Sequence, residues 1–297
     1  MSHKEELLRA YQAGERNFAG IDLSNVDLDR ADLSGANFVG ANLTKTKLKF
    51  TNFSGSNLQQ ANFNQAQFDR TNLSWCNLSK QDFKHVSLVG VDLQGADLSE
   101  AELTKADLTE AKLDRANLTG AVLTNAKLTN GYIVYARLQN ANLVAAELLN
   151  ADLTGVNLSG ANLDRANLRK ARLRKANLDR ASLQQVYLKD CNLQLASFAE
   201  ANLQQAYLND AKCGKANFDR ANLQGVDTDL AQNINLESAI TGEIKQAYKH
   251  SLHLELDTWG GFSFSPDNRT LAYKNHNPGC LTQVPQNPTL YRIYFFG

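Results

Sequence analysis

Every fifth residue of this chain is apolar over more than two-thirds of its length. From Phe18 to Leu223 the series holds 42 positions without a change of phase, and 32 of them are Leu and eight are Phe. Ile133 and Cys213 fill the other two. A period of five fits neither a helix, at 3.6 residues per turn, nor a strand, at 2. The chain must therefore bend once per repeat and turn the same positions inward each time.

A second inward position lies two residues before each apolar centre and is almost always small. Ala occupies 27 of the 41 positions from Ile21 to Ala221, and Gln81 is the one long polar residue among them. The residue just before the centre is usually Asp or Asn, and the two after it are polar or Gly. We interpret the Asp and Asn residues as structural, because a short polar side chain can bond the local backbone at a turn.

The repeated motif A-(D/N)-L-x-x resembles the pentapeptide-repeat family, as in residues 31–35 (ADLSG) and 161–165 (ANLDR). The match covers about residues 16–226, and the segment 6–18 is similar to the leader of many cyanobacterial members. The resemblance implies an all-β fold, a right-handed four-sided parallel β-helix with four repeats in each coil. Coils spaced like neighbouring strands, about 4.8 Å apart, would form a rod on the order of 50 Å long.

The two ends differ from the repeats, so the sequence predicts three parts: 1–15, 16–228 and 229–297. Residues 2–13 are predicted to form an amphipathic helix that caps the first coil, since Ser2 and Glu5 fit a capping box. Leu7, Leu8 and Tyr11 would share its apolar face, and Gly14 would end it. A rod whose coils contact only their neighbours needs such caps.

The repeat fails at Thr228, and the tail that follows is predicted to be a small β-rich appendage. Residues 262–265, 270–273 and 291–296 have strand-like patterns, and 243–249 could form a helix. The segment 262–272 resembles the opening hairpin of a WD-type propeller blade, although one blade cannot close a propeller.

The composition of the chain does not indicate a particular class of partner. The chain has 31 basic and 31 acidic residues, so no global field attracts nucleic acid or an anionic membrane. Its four cysteines share no C-x-x-C spacing, the first residues lack the apolar core of a signal peptide, and no apolar run reaches the length of a membrane span. These features favour a reducing, cytoplasmic location.

No group of residues has the spacing of a catalytic or cofactor site. His250, His253, His276 and Cys280 could in principle bind a metal, but their spacing matches no zinc signature. The chain has no phosphate-binding loop and no Ser-His-Asp or Cys-His arrangement that stands out. We therefore predict that the protein is not an enzyme and needs no metal or cofactor.

A repeat rod offers faces instead, because residues twenty apart stack on one side. We number the sides in chain order by their first apolar centres, which are Phe18, Leu23, Leu28 and Leu33 for sides 1 to 4. Side 4 combines aromatic, basic and apolar residues, and is the candidate partner-binding face: Trp75, Lys112, Arg115, Tyr132, Tyr135, Arg172, Arg174, Lys175, Leu195 and Lys215. Side 3 adds Tyr187 and Tyr207, which should stack directly.

The sequence leaves three functions open. The first is a non-enzymatic scaffold that binds a protein partner through this face, in a regulatory role that the resemblance to cyanobacterial members allows. The second is mimicry of DNA toward DNA gyrase, known in some relatives, although this chain is neutral and lacks loop insertions. The third is weak nucleic-acid binding through the basic run at 165–180. The same run could equally be a solvated surface that keeps the rod soluble.

Overall fold

The computed structural model describes residues 3–240, 262–264 and 271–273. The chain divides into two compact units, Met1–Lys245 and Gln246–Gly297. The first contains helix α1 (His3–Gln12) and the repeats, and the second contains strands β1 (Phe262–Phe264) and β2 (Leu271–Tyr273). The predicted helix at 243–249, the predicted strand at 291–296 and the four candidate metal ligands lie outside the described residues.

Successive coils of twenty residues stack in parallel along the repeats. Isolated parallel bridges join residues twenty apart, beginning with Asn17 and Asn37 and continuing to Lys212 and Gln232. From Asn17 to Lys212 each bridge starts at the residue just before an apolar centre, and every repeat in this run starts one except those at 62 and 67. Four repeats therefore complete one coil, as the resemblance implied.

Each repeat bends through a hydrogen-bonded turn, which the repeat at residues 27–31 illustrates. The amide of Ala31 donates to the carbonyl of Leu28 (2.9 Å), and Arg30 between them has a φ of 62°. A positive φ at the third residue is what a type II turn requires. The Asp27 carboxylate accepts a hydrogen bond from the amide of Asp29 (3.0 Å), so this carboxylate supports the turn, as the sequence predicted.

Three backbone hydrogen bonds per repeat connect each coil to the next. Around Leu28, the amides of Leu28 and Arg30 donate to the carbonyls of Lys47 and Lys49 (2.9 Å each), and the Lys47 amide donates to Val26 (3.1 Å). This ladder holds non-glycine residues such as Arg30 in the left-handed conformation, which by itself costs roughly 1–2 kcal/mol per residue.

The interior of the coils is a column of apolar centres surrounded by small residues. From Leu23 to Cys213 every centre is at most 2% exposed, and each buried Leu stabilises the fold by roughly 1.5–3 kcal/mol. Where a hydroxyl replaces Ala at the small position it is satisfied: Thr46 donates to the Leu23 carbonyl (2.9 Å) and Thr51 to that of Leu28 (2.8 Å).

Gln81 disturbs this interior, because it is a long side chain at a position built for Ala. It is 5% exposed, and its amide nitrogen donates to the carbonyl of Ala61. In the regular ladder that carbonyl would accept from the amide of Asp82, as the Ala41 carbonyl accepts from Asn62 (2.8 Å). The side-chain oxygen of Gln81 is buried without a hydrogen-bond partner.

The coil-to-coil ladder is open beside Gln81. Seven backbone hydrogen bonds that equivalent positions make in the neighbouring coils are missing between residues 60–70 and 79–89. The amides that would donate them are Gln60, Phe63, Gln65, Phe68, Arg70, Asp82 and Ser87. The bridges at 62–82 and 67–87 are missing from the same place. Gln81 thus replaces an inter-coil backbone bond with a side-chain bond, and the backbone ladder is interrupted from Gln60 on side 1 across sides 2 and 3.

Helix α1 packs its apolar face against the start of the repeats. Leu7 is buried with the core residues, and Leu8 and Tyr11 are partly buried against them. The Tyr11 hydroxyl donates to the carbonyl of Ser34 (2.8 Å), and Gly14, with a φ of 97°, follows the helix. The sequence predicts a helix over 2–13, and the helix described here spans His3–Gln12.

The pairing of coils continues beyond the last regular repeat. The amide of Leu223 donates to the carbonyl of Ile240 (2.9 Å), and Asn222 and Ile240 form the last parallel bridge. That bridge joins residues eighteen apart, not twenty, so the final coil is shortened after the periodic pattern ends. In the second unit, β1 and β2 pair antiparallel, with Phe262 opposite Tyr273.

Candidate partner-binding surface

Large exposed hydrophobic side chains are confined to two of the four sides. Within residues 16–228 every one of them lies on side 3 or side 4, and none on sides 1 and 2; they are Phe50, Trp75, Val89, Tyr132, Tyr135, Tyr187, Leu195 and Tyr207. A surface that was merely solvated would have no reason to segregate them. This asymmetry marks the edge where sides 3 and 4 meet as the candidate surface.

Two aromatic rings on side 4 lie across glycines of the following coil. A Cβ atom placed on Gly95 would be 2.4 Å from Cε3 of Trp75, and one on Gly155 would be 2.3 Å from Cε1 of Tyr135. The rings remain 59% and 57% exposed. Packing against backbone restricts both rings before any partner arrives, which reduces the ordering entropy that binding costs.

Side 3 presents a pair of stacked tyrosines. The rings of Tyr187 and Tyr207 are parallel to within 4°, with centroids 4.9 Å apart, which confirms the stacking predicted from their spacing. Both rings are exposed, as is Leu195 on side 4. The pair therefore adds exposed aromatic surface on the side next to side 4.

Side 4 also has the largest excess of positive charge. We define the side 4 strip as one four-residue segment from each of five successive coils: 132–135, 152–155, 172–175, 192–195 and 212–215. The strip holds five cations and one carboxylate, a net charge of +4. The equivalent segments of the same five coils have a net charge of 0 on side 1, 0 on side 2 and +1 on side 3.

Most cations of side 4 have no ion-pair partner in the described chain. Arg172 pairs with Asp152 (3.4 Å) and Lys112 with Asp92 (3.8 Å). The others form no ion pair with any described residue, and they are Arg115, Arg174, Lys175, Lys212 and Lys215. Their charges are therefore available to a partner.

The predicted basic run at 165–180 does not form one footprint, because it winds around the coil. Arg165 lies on side 2, while Arg180 lies on side 1, where it donates to Glu200 (3.0 Å). Hydrogen bonding from Arg180 and the nearby charge of Arg220 lower the pKa of Glu200 below its ordinary value. Only Arg172, Arg174 and Lys175 of the run belong to side 4, and the strip brings them near Lys212 and Lys215 instead.

The cysteine thiols of the described residues are buried and are not activated for reaction. Burial raises the pKa of the Cys76, Cys191 and Cys213 thiols to about 12, so these thiols stay protonated at neutral pH. Among residues 3–240 and the two strands, no group of three or more His, Cys, Asp and Glu side chains could hold a metal. What these coils offer chemically is contact area and charge.

All twelve residues predicted as partner-binding are exposed, and the structure places ten on side 4 and two on side 3. Sequence reasoning missed Gly95 and Gly155, on which the two rings lie. The signal was present, since each glycine follows its aromatic residue by twenty positions. It also missed the charge excess of side 4, which requires the four sides to be counted separately.

No helical segment of the described chain has the length and apolar content that a bilayer crossing requires.

Comparisons with known proteins find pentapeptide repeats along most of the chain. A family model described as pentapeptide repeats matches in eight copies, over 87–125, 101–134, 121–160, 132–169, 157–194 and 196–227. A second, described as a pentapeptide repeat region, matches 15–96. No curated protein gives a significant match.

Three solved structures are among those similar to the chain. HetL, a pentapeptide repeat protein involved in heterocyst differentiation regulation from the cyanobacterium Nostoc sp. strain PCC 7120, is 33% identical, with coverage of 80% of this chain and 97% of HetL and a TM-score of 0.44. The Nostoc pentapeptide repeat protein alr5209 is 28% identical over 41% of this chain and 78% of its own (TM-score 0.20). QnrB1, a plasmid-mediated fluoroquinolone resistance protein, is 16% identical over 80% and 96% (TM-score 0.30).

Proposed function

Since this chain belongs to the pentapeptide-repeat family, whose fold is a right-handed β-helix, we propose that it is a non-enzymatic scaffold that binds a protein partner. The binding surface is side 4 with the adjoining edge of side 3. A regulatory role would consist of holding or sequestering that partner, because these coils provide a long, regular contact surface.

The observation that carries this proposal is the segregation of exposed apolar side chains onto sides 3 and 4. Aromatic residues and Arg are enriched at protein interfaces, where they supply most of the binding energy. Trp75 and Tyr135 sit three coils apart, roughly 14 Å at the spacing of neighbouring strands. Both rings lie on a regular backbone that needs no rearrangement to present them.

Helix α1 acts as the N-terminal cap, because it covers core residues that would otherwise face water. Residues 229–240 cover the last coil, since Ile240 pairs with Asn222. The free, buried thiols of Cys76, Cys191 and Cys213 suit the reducing cytoplasm.

Mimicry of duplex DNA is not favoured by the charges of these coils. A mimic needs a face dominated by carboxylates, whereas across the five coils of the strip sides 1 to 3 are close to neutral and side 4 is cationic. Direct nucleic-acid binding would rest on the same cations as protein binding, so a DNA duplex must be measured as a separate probe beside any protein ligand.

The proposal predicts that one side of the rod captures the partner. The immobilised protein is exposed to an extract of the source organism and compared with the variant Trp75→Ala/Tyr135→Ala/Arg174→Glu. We expect that variant to retain at least about tenfold less of a specific partner, since aromatic and Arg anchors each contribute on the order of 1 kcal/mol or more.

The matched control changes three exposed residues of the opposite side 2, as Lys105→Ala/Asn125→Ala/Arg165→Glu. It should capture as much partner as the unaltered protein. If both variants capture equally less partner, or if neither captures less, binding through side 4 is contradicted.

A further inference from the structure

The cations of the side 4 strip fall into two groups separated by an uncharged coil. One group is Arg172, Arg174 and Lys175, and the other is Lys212 and Lys215. The two groups are two coils apart, about 10 Å at the spacing of neighbouring strands. The coil between them, at 192–195, carries no charge and exposes Leu195.

This arrangement has the period of an α-helix laid along the rod. Two helical turns span about 10.8 Å, so residues seven apart on one helix face recur at nearly the spacing of the two cationic groups. A helix residue three or four positions after the first of these two would face the uncharged coil. The exposed ring of Tyr135 lies on the same column of the strip as Lys175. It is two coils from Lys175 in the direction away from Lys215, again about 10 Å.

We propose that the partner presents an acidic amphipathic α-helix, which lies along the side 4 strip. Its carboxylates, seven residues apart, pair with the two cationic groups, and an apolar residue between them contacts Leu195. A further apolar residue, seven positions beyond the first carboxylate, contacts Tyr135. This inference rests on the proposed function and specifies the chemistry of its partner.

The ion pairing within the rod supports a carboxylate ligand. Arg174, Lys175, Lys212 and Lys215 pair with no described carboxylate, so a partner's carboxylates would not have to displace an internal one. On side 1, by contrast, Glu200 already occupies Arg180 and Arg220. Unpaired cations beside exposed apolar groups are complementary to a helix that carries acidic and apolar residues on one face.

The same surface is poorly arranged for duplex DNA. A duplex carries a negative charge for every 1.7 Å or so of its axis and would place phosphates along the whole strip. The uncharged coil at 192–195 would leave a stretch of them without a cation.

The test uses a labelled helical peptide as the probe. The peptide is alanine-based and carries, in chain order on one face, an apolar residue, Glu, Leu and Glu. The first apolar residue and the first Glu are seven positions apart, the two Glu residues are also seven apart, and the Leu lies between them. A second peptide has the same composition with its Glu residues moved to the opposite face, and a labelled 20-base-pair duplex is the third probe. Binding to the full chain is measured by fluorescence anisotropy at 150 mM salt.

We expect the registered peptide to bind at least fivefold more tightly than the rearranged one and more tightly than the duplex. Arg174→Glu/Lys175→Glu should weaken its binding at least tenfold. The control Lys105→Glu/Arg165→Glu reverses two exposed, unpaired charges on side 2 and should change the affinity less than twofold. Thermal unfolding followed by circular dichroism verifies that both variants fold.

Equal binding of the two peptides, no binding of either, or tighter binding of the duplex would overturn the acidic-helix proposal. The capture experiment separates that failure from failure of the proposed function. If capture still depends on side 4 while the peptide does not bind, the scaffold proposal stands and the partner is of another chemistry. If capture does not depend on side 4, both proposals are wrong.

Discussion

Replacing Gln81 by Ala is expected to raise the free energy of unfolding by about 2 kcal/mol or more. The change removes a buried oxygen that has no partner, which by itself is worth about 1–3 kcal/mol. It also frees the Ala61 carbonyl for the Asp82 amide and allows the coils to close, at about 1 kcal/mol per restored bond. Denaturant unfolding measures the gain.

Amide hydrogen exchange locates the effect. In the unaltered protein the amides of Phe63 and Phe68 should exchange faster than those of Leu43 and Leu48, because only the latter pair donate to the next coil. Gln81→Ala should slow the first pair to the rate of the second. Exchange that stays fast, together with unchanged or lower stability, would show that Gln81 does not hold the ladder open.

Thr51→Ala is the matched control, since it also places Ala at a small inward position. It removes a satisfied hydroxyl that donates to the Leu28 carbonyl. Stability should therefore fall, by about 0.5–1.5 kcal/mol. The opposite signs of the two substitutions distinguish a misfitting side chain from a general preference for Ala.

Adding a methyl group at Gly95 is expected to lift the Trp75 ring off the rod. The new Cβ would lie 2.4 Å from Cε3 of Trp75, so the indole must move. The emission of Trp75 and its quenching by acrylamide should both change, measured with Trp259→Phe in the background because Trp75 and Trp259 are the two tryptophans. Partner capture should weaken as well, since the ring loses its preferred orientation.

Gly55→Ala supplies the comparison, because Gly55 stands on the same column one coil before Trp75. Its φ is +69° against +66° at Gly95, and nothing lies within 4 Å of a Cβ placed there. Both substitutions should lower stability by roughly 1–2 kcal/mol through the left-handed backbone. Only Gly95→Ala should change the fluorescence; equal spectra in the two variants would mean that the ring does not rest on Gly95.

The periodic part of the fold follows directly from the sequence. An unbroken five-residue series requires the chain to bend once per repeat and to turn the Leu and Ala positions inward. The resemblance to the pentapeptide-repeat family adds four repeats per coil, and stacking every twenty residues then assigns Trp75, Tyr135 and Arg174 to one side. The stacking of Tyr187 on Tyr207 is predictable for the same reason. Exposure of these residues is a consequence of their place in the repeat.

Other features depend on details that a repeat pattern does not contain. Gln81 is visible in the sequence as an exception, but whether the coils close around it depends on competition between its amide and the Asp82 backbone for one carbonyl. The pairing that continues to Ile240 has an eighteen-residue offset, so it falls outside the period. The direction in which Trp75 leans, onto Gly95 and away from Gly55, is set by side-chain packing.

The central claim, that one side of the rod meets the partner, can be tested within a single coil. Residues 125, 130, 135 and 140 occupy the same left-handed position on sides 2, 3, 4 and 1, with φ values of 56°, 56°, 56° and 57°. An aromatic photoreactive amino acid placed at each in turn keeps an aromatic ring at 135 and samples all four directions with the same backbone geometry. We predict that illumination in the presence of the captured partner gives a strong crosslink from position 135, a weaker one from 130, and none from 125 or 140. Crosslinks of equal yield from all four positions, or crosslinks from 125 or 140 without one from 135, would contradict the account.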